Sequence, residues 1–219
     1  MSLSGARRTA ATARYLLALL LGEQRVLLPV VAFLAVLGVL FGGDPGPPPT
    51  PWAASALVLY PVAAWVALIV ANVEDPVRRT VTVTAAGGRG AVVTATLLVA
   101  LAADLLLVAV AVLFPLVTGR YAYPPAVLVM GAVAHLACAS AGTAVGLLCA
   151  RPLVGRIGWS FCLALTVVVV TAVQPWLPPV GTAVRALSSG GGVPVGPALV
   201  GLAAAGAAAL LSWWVDTRR

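Results

Sequence analysis

NVEDPVRRTVTVTAAGGRGA, residues 72–91, is the one polar passage of any length between two long apolar runs, and the reading of the chain turns on it. It opens with an acidic pair, Glu74 and Asp75, continues through Pro76, Arg78 and Arg79 into β-branched residues and alanines, and breaks at a Gly-Gly-Arg-Gly sequence. Proline suits the first turn of a helix, where its missing N–H would have had no partner. Carboxylates suit the N-terminal end of the helix dipole. Gly87, Gly88 and Gly90 are expected to stop the helix and turn the chain back. The passage therefore predicts a short helix lying along a membrane face, the only place where this chain offers a water-soluble partner a folded surface.

Composition sets the class around that passage. The chain is 62% hydrophobic and 9% charged, with a mean hydropathy of +1.08, whereas a soluble domain carries roughly a quarter charged residues. An integral membrane protein of a single all-α domain, 1–219, follows. The net charge of +7 comes from arginine alone, since the chain contains no lysine, and it sorts with topology rather than marking a nucleic-acid surface. Cys138, Cys149 and Cys162 lie in apolar runs without CxxC spacing and are expected to be buried free thiols. The N-terminus lacks the features of a cleaved signal and is expected to be retained.

Residues 4–21 carry Arg7, Arg8 and Arg14 among alanines and leucines, the pattern of an interfacial elbow helix. Six transmembrane helices are expected to follow, at about 24–41, 52–71, 91–117, 125–150, 157–173 and 193–215, the fifth being the shortest. Five prolines among residues 45–51 make the first outer loop extended. Residues 174–192, QPWLPPVGTAVRALSSGGG, are too apolar for a free loop and too broken for a span. They predict an outer re-entrant hairpin with a short helix near 180–187, which needs protein or a water-filled cavity around it. Eleven of the thirteen arginines fall on one side of this arrangement, with Arg120 and Arg185 on the other. Both termini and the polar passage are then cytoplasmic and the chain belongs in the cell membrane.

An elbow, six spans, a cytoplasmic helix between the second and third, a smaller turn RPLVGR (151–156) between the fourth and fifth, and an outer hairpin before the last: this resembles the permease subunit of ATP-binding-cassette (ABC) exporters of the short type that moves drugs, lipids and polysaccharides. At residue level the resemblance is carried by VEDPVRRTVTVTAAGGRGAVVTATLLVA, 73–100, similar to the family's Glu-containing passage and small-residue, Arg-containing turn into the third span. It departs from the commoner pattern, having Asp75-Pro76 and Ala86-Gly87-Gly88 where that pattern has an arginine with Gly-Thr-Leu and a Thr-Pro. The resemblance implies a coupling helix docking on a cytoplasmic ATP-binding subunit and a dimer with a second permease copy or a paralogous chain. Glu74, Asp75, Arg78, Arg79, Arg89, Arg151 and Arg156 are its candidate coupling residues. The arginines among them, taken alone, read equally as topology determinants that bind headgroups of membrane lipid.

Without lysine the chain can hold no Walker A sequence, so ATP and Mg would be bound by the partner subunit, with no cofactor in this chain and no enzyme activity of its own. Asp104 in the third span and His135 in the fourth are expected to be level, each about 15 Å from the outer boundary. A mid-span aspartate costs about 2.5–3.5 kcal/mol and should face the interior. The two are either a pair in the transport pathway or buried hydrogen bonds locking helices. Small residues in span four (Gly131, Ala134, Gly142, Gly146) and span six (Gly201, Ala205, Ala209) permit close helix approach. Asp44 reads as a solvated turn residue. No catalytic set and no metal cluster can be assembled from one histidine and six acids. The scarcity of polar residues in the spans favours an amphipathic or hydrophobic cargo, with haem export a variant. The competing class is a secondary carrier or a membrane anchor for another complex.

Overall fold

The computed structural model describes residues 3–118 and 121–218. Arg120 and Arg219, both used in the charge count, lie outside the described residues. Among the described residues the fold is all-helical: α1 (Leu3–Gly22), a 3-10 turn (Gln24–Val26), α2 (Leu27–Gly42), α3 (Pro51–Ala71), α4 (Pro76–Ala86), α5 (Arg89–Thr118), α6 (Pro125–Leu148), α7 (Ile157–Ala172), α8 (Val180–Ser189) and α9 (Val195–Thr217). Among the described residues five segments are long and apolar enough to cross a membrane: Gln24–Gly42, Pro51–Ala71, Arg89–Val117, Pro125–Leu148 and Val195–Thr217. The chain is thus a multi-pass, membrane-embedded protein. Of the six expected spans the fifth stands apart, because α7 has 16 residues and reaches only about 24 Å at 1.5 Å per residue, short of a hydrocarbon core about 30 Å thick.

The surface is that of a body solvated by lipid. Val39, Leu106, Val170, Leu199 and Leu210, on four different helices, are all exposed, an arrangement that would leave a contiguous apolar surface in water. The interior is built on α6, which packs along α3 on one side and α9 on the other. Small residues make that approach possible. A Cβ on Gly142 would run into the Tyr60 carbonyl oxygen and the Ala64 nitrogen, one on Gly146 into the Ala64 carbonyl oxygen, and one on Gly201 into Ser140 Oγ and the Ala137 carbonyl oxygen. Gly142 and Gly146 of α6 and Gly201 of α9 therefore serve seams within the chain, where helices close on one another by dispersion contacts.

The other elements fasten to this centre. α5 packs on α1, α6, α3 and α9, while α2 packs on α3 and α5. α1 buries Thr9, Thr12, Leu16 and Leu20, a three-to-four residue spacing that gives one inward stripe, and leaves Arg7, Arg8 and Arg14 exposed. α7 is held to α3 by Tyr60 Oη and Thr171 Oγ1 at 2.8 Å and by the Trp65 and Phe161 rings, 5.7 Å apart edge to face. α8 sets Val180, Ala183 and Leu187 against α3 and α6.

Three details correct the reading of the sequence. Cys138 and Cys149 are buried, but Cys162 is exposed, because α7 turns that face away from the bundle. Gly90 lies inside α5 rather than in the break, since the next helix already begins at Arg89. Asp44 is exposed as expected, yet it takes the Gly46 N–H at 3.1 Å and the Tyr121 hydroxyl at 2.6 Å, so it ties the loop between α2 and α3 to the segment before α6.

Candidate functional site

α4 is set by its own residues. Asp75 is the N-cap, with an extended backbone, and its Oδ1 accepts the N–H groups of Val77 at 2.9 Å and Arg78 at 3.0 Å. This satisfies two of the four N–H groups that a helix start leaves open. Pro76 occupies the first turn. At the other end Gly87 takes φ +80°, and the N–H groups of Gly87 and Gly88 return to the carbonyls of Thr84 and Val83. A side chain would be strained in that left-handed conformation, which explains the glycine. The Arg8 guanidinium from α1 lies against this cap, where a cation complements the C-terminal dipole.

The backbone N–H of Arg78, then that of Val77 and the Arg78 charge, hold the Asp75 carboxyl below its usual range. A folded-state pKa below the unfolded one means that this contribution is fully present above the unfolded carboxylate range and is lost as pH falls through the depressed value. Hydrogen exchange at the Val77 and Arg78 amides is expected to stay slow through neutral pH and to accelerate only below the ordinary aspartate range. Asp75→Ala is expected to give fast exchange at every pH, and Asp75→Asn a profile without the acid limb.

The candidate coupling residues divide into two groups. Asp75 and Arg78 point outward, their charges 3.6 Å apart, and with Val77 (75% exposed) and Val81 (64% exposed) form the free face of α4. Glu74 is turned inward and only 6% exposed; Thr82 donates its hydroxyl to Oε1 at 2.5 Å, while Oε2 has no partner. Arg79 and Arg89 reach the same carboxylate, Asp216 at the end of α9, each at 4.0 Å. Arg89 also donates to the Asp216 main-chain oxygen, closing off a carbonyl that the helix end leaves open. These two arginines clamp α4, α5 and α9 together. Asp216 was missed in the sequence, although an acid at the end of a span on the arginine-rich side was the available signal. Arg151 lines the same cleft as Glu74, Arg79, Arg89 and Asp216, and Arg156 is exposed at the start of α7.

Asp104 and His135 are both buried, but they are not a pair. Asp104 Oδ2 accepts the Thr143 hydroxyl at 2.7 Å. His135 donates from Nδ1 to the Gly131 carbonyl at 2.7 Å and meets the Ser55 hydroxyl at 2.9 Å through Nε2. Thr143 lies eight residues beyond His135 on α6, about 12 Å along the axis, so the two groups are not level. The offset is set by the stagger of α5, which runs through Pro115 to Thr118, against α6. The contacts seen are seams: Asp104 joins α5 to α6, and His135 joins α6 to α3 beneath Trp52, whose ring lies edge-on at 6.4 Å. Thr143→Val, which leaves both Asp104 oxygens without a donor, is expected to cost about 1–3 kcal/mol. Asp104→Asn, which keeps an acceptor for Thr143, is expected to cost less than about 1 kcal/mol. Unfolding of each variant in detergent checks both.

Among the described residues no three His, Cys, Asp or Glu side chains converge as metal ligands. Comparison with protein-family models, curated proteins and solved structures finds no match to this chain. The functional reading therefore rests on the geometry around α4.

Proposed function

We propose that this chain is the membrane-spanning permease subunit of an ABC exporter, with both termini cytoplasmic, working as a dimer with a second copy or a paralogous chain and driven by a separate ATP-binding subunit. In this reading α7 is the fifth of six spans, α1 the interfacial elbow, α4 the coupling helix, and α8 with its flanking segments an outer re-entrant hairpin. Closure of the ATPase on ATP would push α4, and the bundle would rock between inward and outward forms. The cargo is amphipathic or hydrophobic, because the spans offer few polar groups with which to bind a sugar or an ion.

One observation carries the reading. α4 is a helix capped at both ends between two spans, clamped to the bundle on one face through Arg79 and Asp216, while its other face presents Asp75, Val77, Arg78 and Val81 to solvent. A loop needed only to hold topology has no use for two caps and a clamp. A force applied to the free face reaches α5 and α9 at once, because Arg79, Arg89 and Asp216 join them.

The test is co-purification from cells that also express the neighbouring reading frames. A nucleotide-binding subunit is expected to accompany the intact chain, and to be lost when residues 74–86 are replaced by a flexible linker in protein that still elutes as a folded species. Transport that persists without any ATP-binding partner would favour a secondary carrier, and association with an unrelated enzyme would favour an anchor.

A further inference from the structure

A cleft of about 460 Å³ opens at the end of the bundle where α3 and α9 finish and α5 begins, within the size range of small-ligand sites. Its charges do not cancel. Arg79 and Arg89 share the single carboxylate of Asp216. Arg151 lines the cleft and makes no ion pair among the described residues. Glu74 lines it too, nine-tenths buried, with Oε2 lacking any donor. Three guanidinium groups against two carboxylates leave one positive charge in excess, and the orphan oxygen leaves one acceptor in excess. A ligand that completes the cleft brings one negative charge and at least one hydrogen-bond donor.

We infer that the cleft binds the headgroup of an anionic, hydroxyl-bearing phospholipid, of which phosphatidylglycerol is the simplest. Its phosphodiester supplies the negative charge to Arg151 and Arg89, where charge-assisted hydrogen bonds form, and a glycerol hydroxyl donates to Glu74. The position agrees. The cleft lies at the ends of apolar helices, at the depth of headgroups, where basic pockets between spans take up anionic lipids. Phosphatidylcholine offers neither net charge nor donor, and phosphatidylethanolamine offers a donor without net charge. The inference needs only that this end of the bundle lies at a membrane surface, and holds whether or not an ATPase drives the chain.

The full chain is reconstituted in nanodiscs of phosphatidylcholine alone and with added phosphatidylglycerol, phosphatidylethanolamine or phosphatidic acid, with thermal midpoint and bound lipid by native mass spectrometry as readouts. Phosphatidylglycerol is expected to raise Tm and remain bound, above the other three. Arg151→Gln is expected to weaken its retention about ten- to a hundredfold, and Glu74→Gln to remove the preference for phosphatidylglycerol over phosphatidic acid. Arg14→Gln, the same charge change on α1 outside the cleft, is expected to change neither. If Arg151→Gln fails to fold, the lipid ranking of the unaltered protein and of Arg151→Lys decides. Equal retention of all four lipids, retention unaffected by Arg151→Gln, or an equal Tm rise from soluble glycerol phosphate would each overturn the assignment. So would protection of the cleft only when an ATP-binding subunit is bound, which would make the occupant protein.

Discussion

Gly142→Leu is expected to leave no folded, detergent-extractable protein. A Cβ at this position meets backbone rather than flexible side chain: besides the Tyr60 carbonyl oxygen, the Ala64 nitrogen lies at 2.8 Å and the Ala63 Cβ at 2.9 Å. Contacts under about 3.0 Å are not tolerated, and helix backbones cannot rotate away as a side chain does. α3 and α6 would have to separate, and with them the Gly146 contact one turn on. Overpacking of a well-filled core costs about 1–3 kcal/mol where neighbours can shift, and more where they cannot. Gly206→Leu is the matched control: it also lies in an apolar helix, α9, but nothing stands within 4 Å of its Cβ position. Size-exclusion profiles of fluorescent fusions should show the first variant absent or aggregated and the second unchanged.

Trp52→Ala is the second large effect, expected at about 3–5 kcal/mol of stability. Trp52 is 1% exposed, its ring fills the space over Gly131, and it stacks near Tyr123 with centroids 5.3 Å apart. Removing it opens a cavity above the His135–Ser55 contact that joins α6 to α3. The indole N–H makes no hydrogen bond, so the ring rather than the polar atom carries the contribution. Trp52→Phe should therefore cost less than half as much as Trp52→Ala. Gly131→Ala, which places a methyl group into the indole, should be destabilising in the parent and partly relieved by Trp52→Phe. A double-mutant cycle read by thermal unfolding in detergent measures that coupling.

What could be read from the sequence was local. The α4 caps are written in Asp75, Pro76 and Gly87, because a cap requires residue types at neighbouring positions and little else. α8 was legible for the same reason, as an apolar stretch between proline and glycine breaks. Pairings across long separations were not. Thr143 as the partner of Asp104 depends on the rotation and stagger of α5 against α6, and neither helix carries a signal for it. The length of α5 was legible, since the span expected over 91–117 already ran through Pro115 and the helix ends at Thr118. The inward turn of Glu74 is held by the Thr82 hydroxyl, and the capture of Arg79 and Arg89 by Asp216 follows from how α9 ends beside α4, which no local pattern encodes. As a result, of the residues grouped as coupling candidates, Asp75 and Arg78 share the outward face, while Glu74, Arg79, Arg89 and Arg151 belong to the cleft behind it.

The central claim is that the free face of α4 is gripped by a cytoplasmic ATP-driven subunit. A photo-crosslinking residue at Val81 on α4, compared with one at Ser188 on α8, tests it in membranes from cells expressing the neighbouring reading frames. An adduct with an ATP-binding protein from Val81, changing in yield with nucleotide, and none from Ser188, is the expected result. ATP-dependent transport with no adduct from Val81, or the same adduct from Ser188, would contradict it.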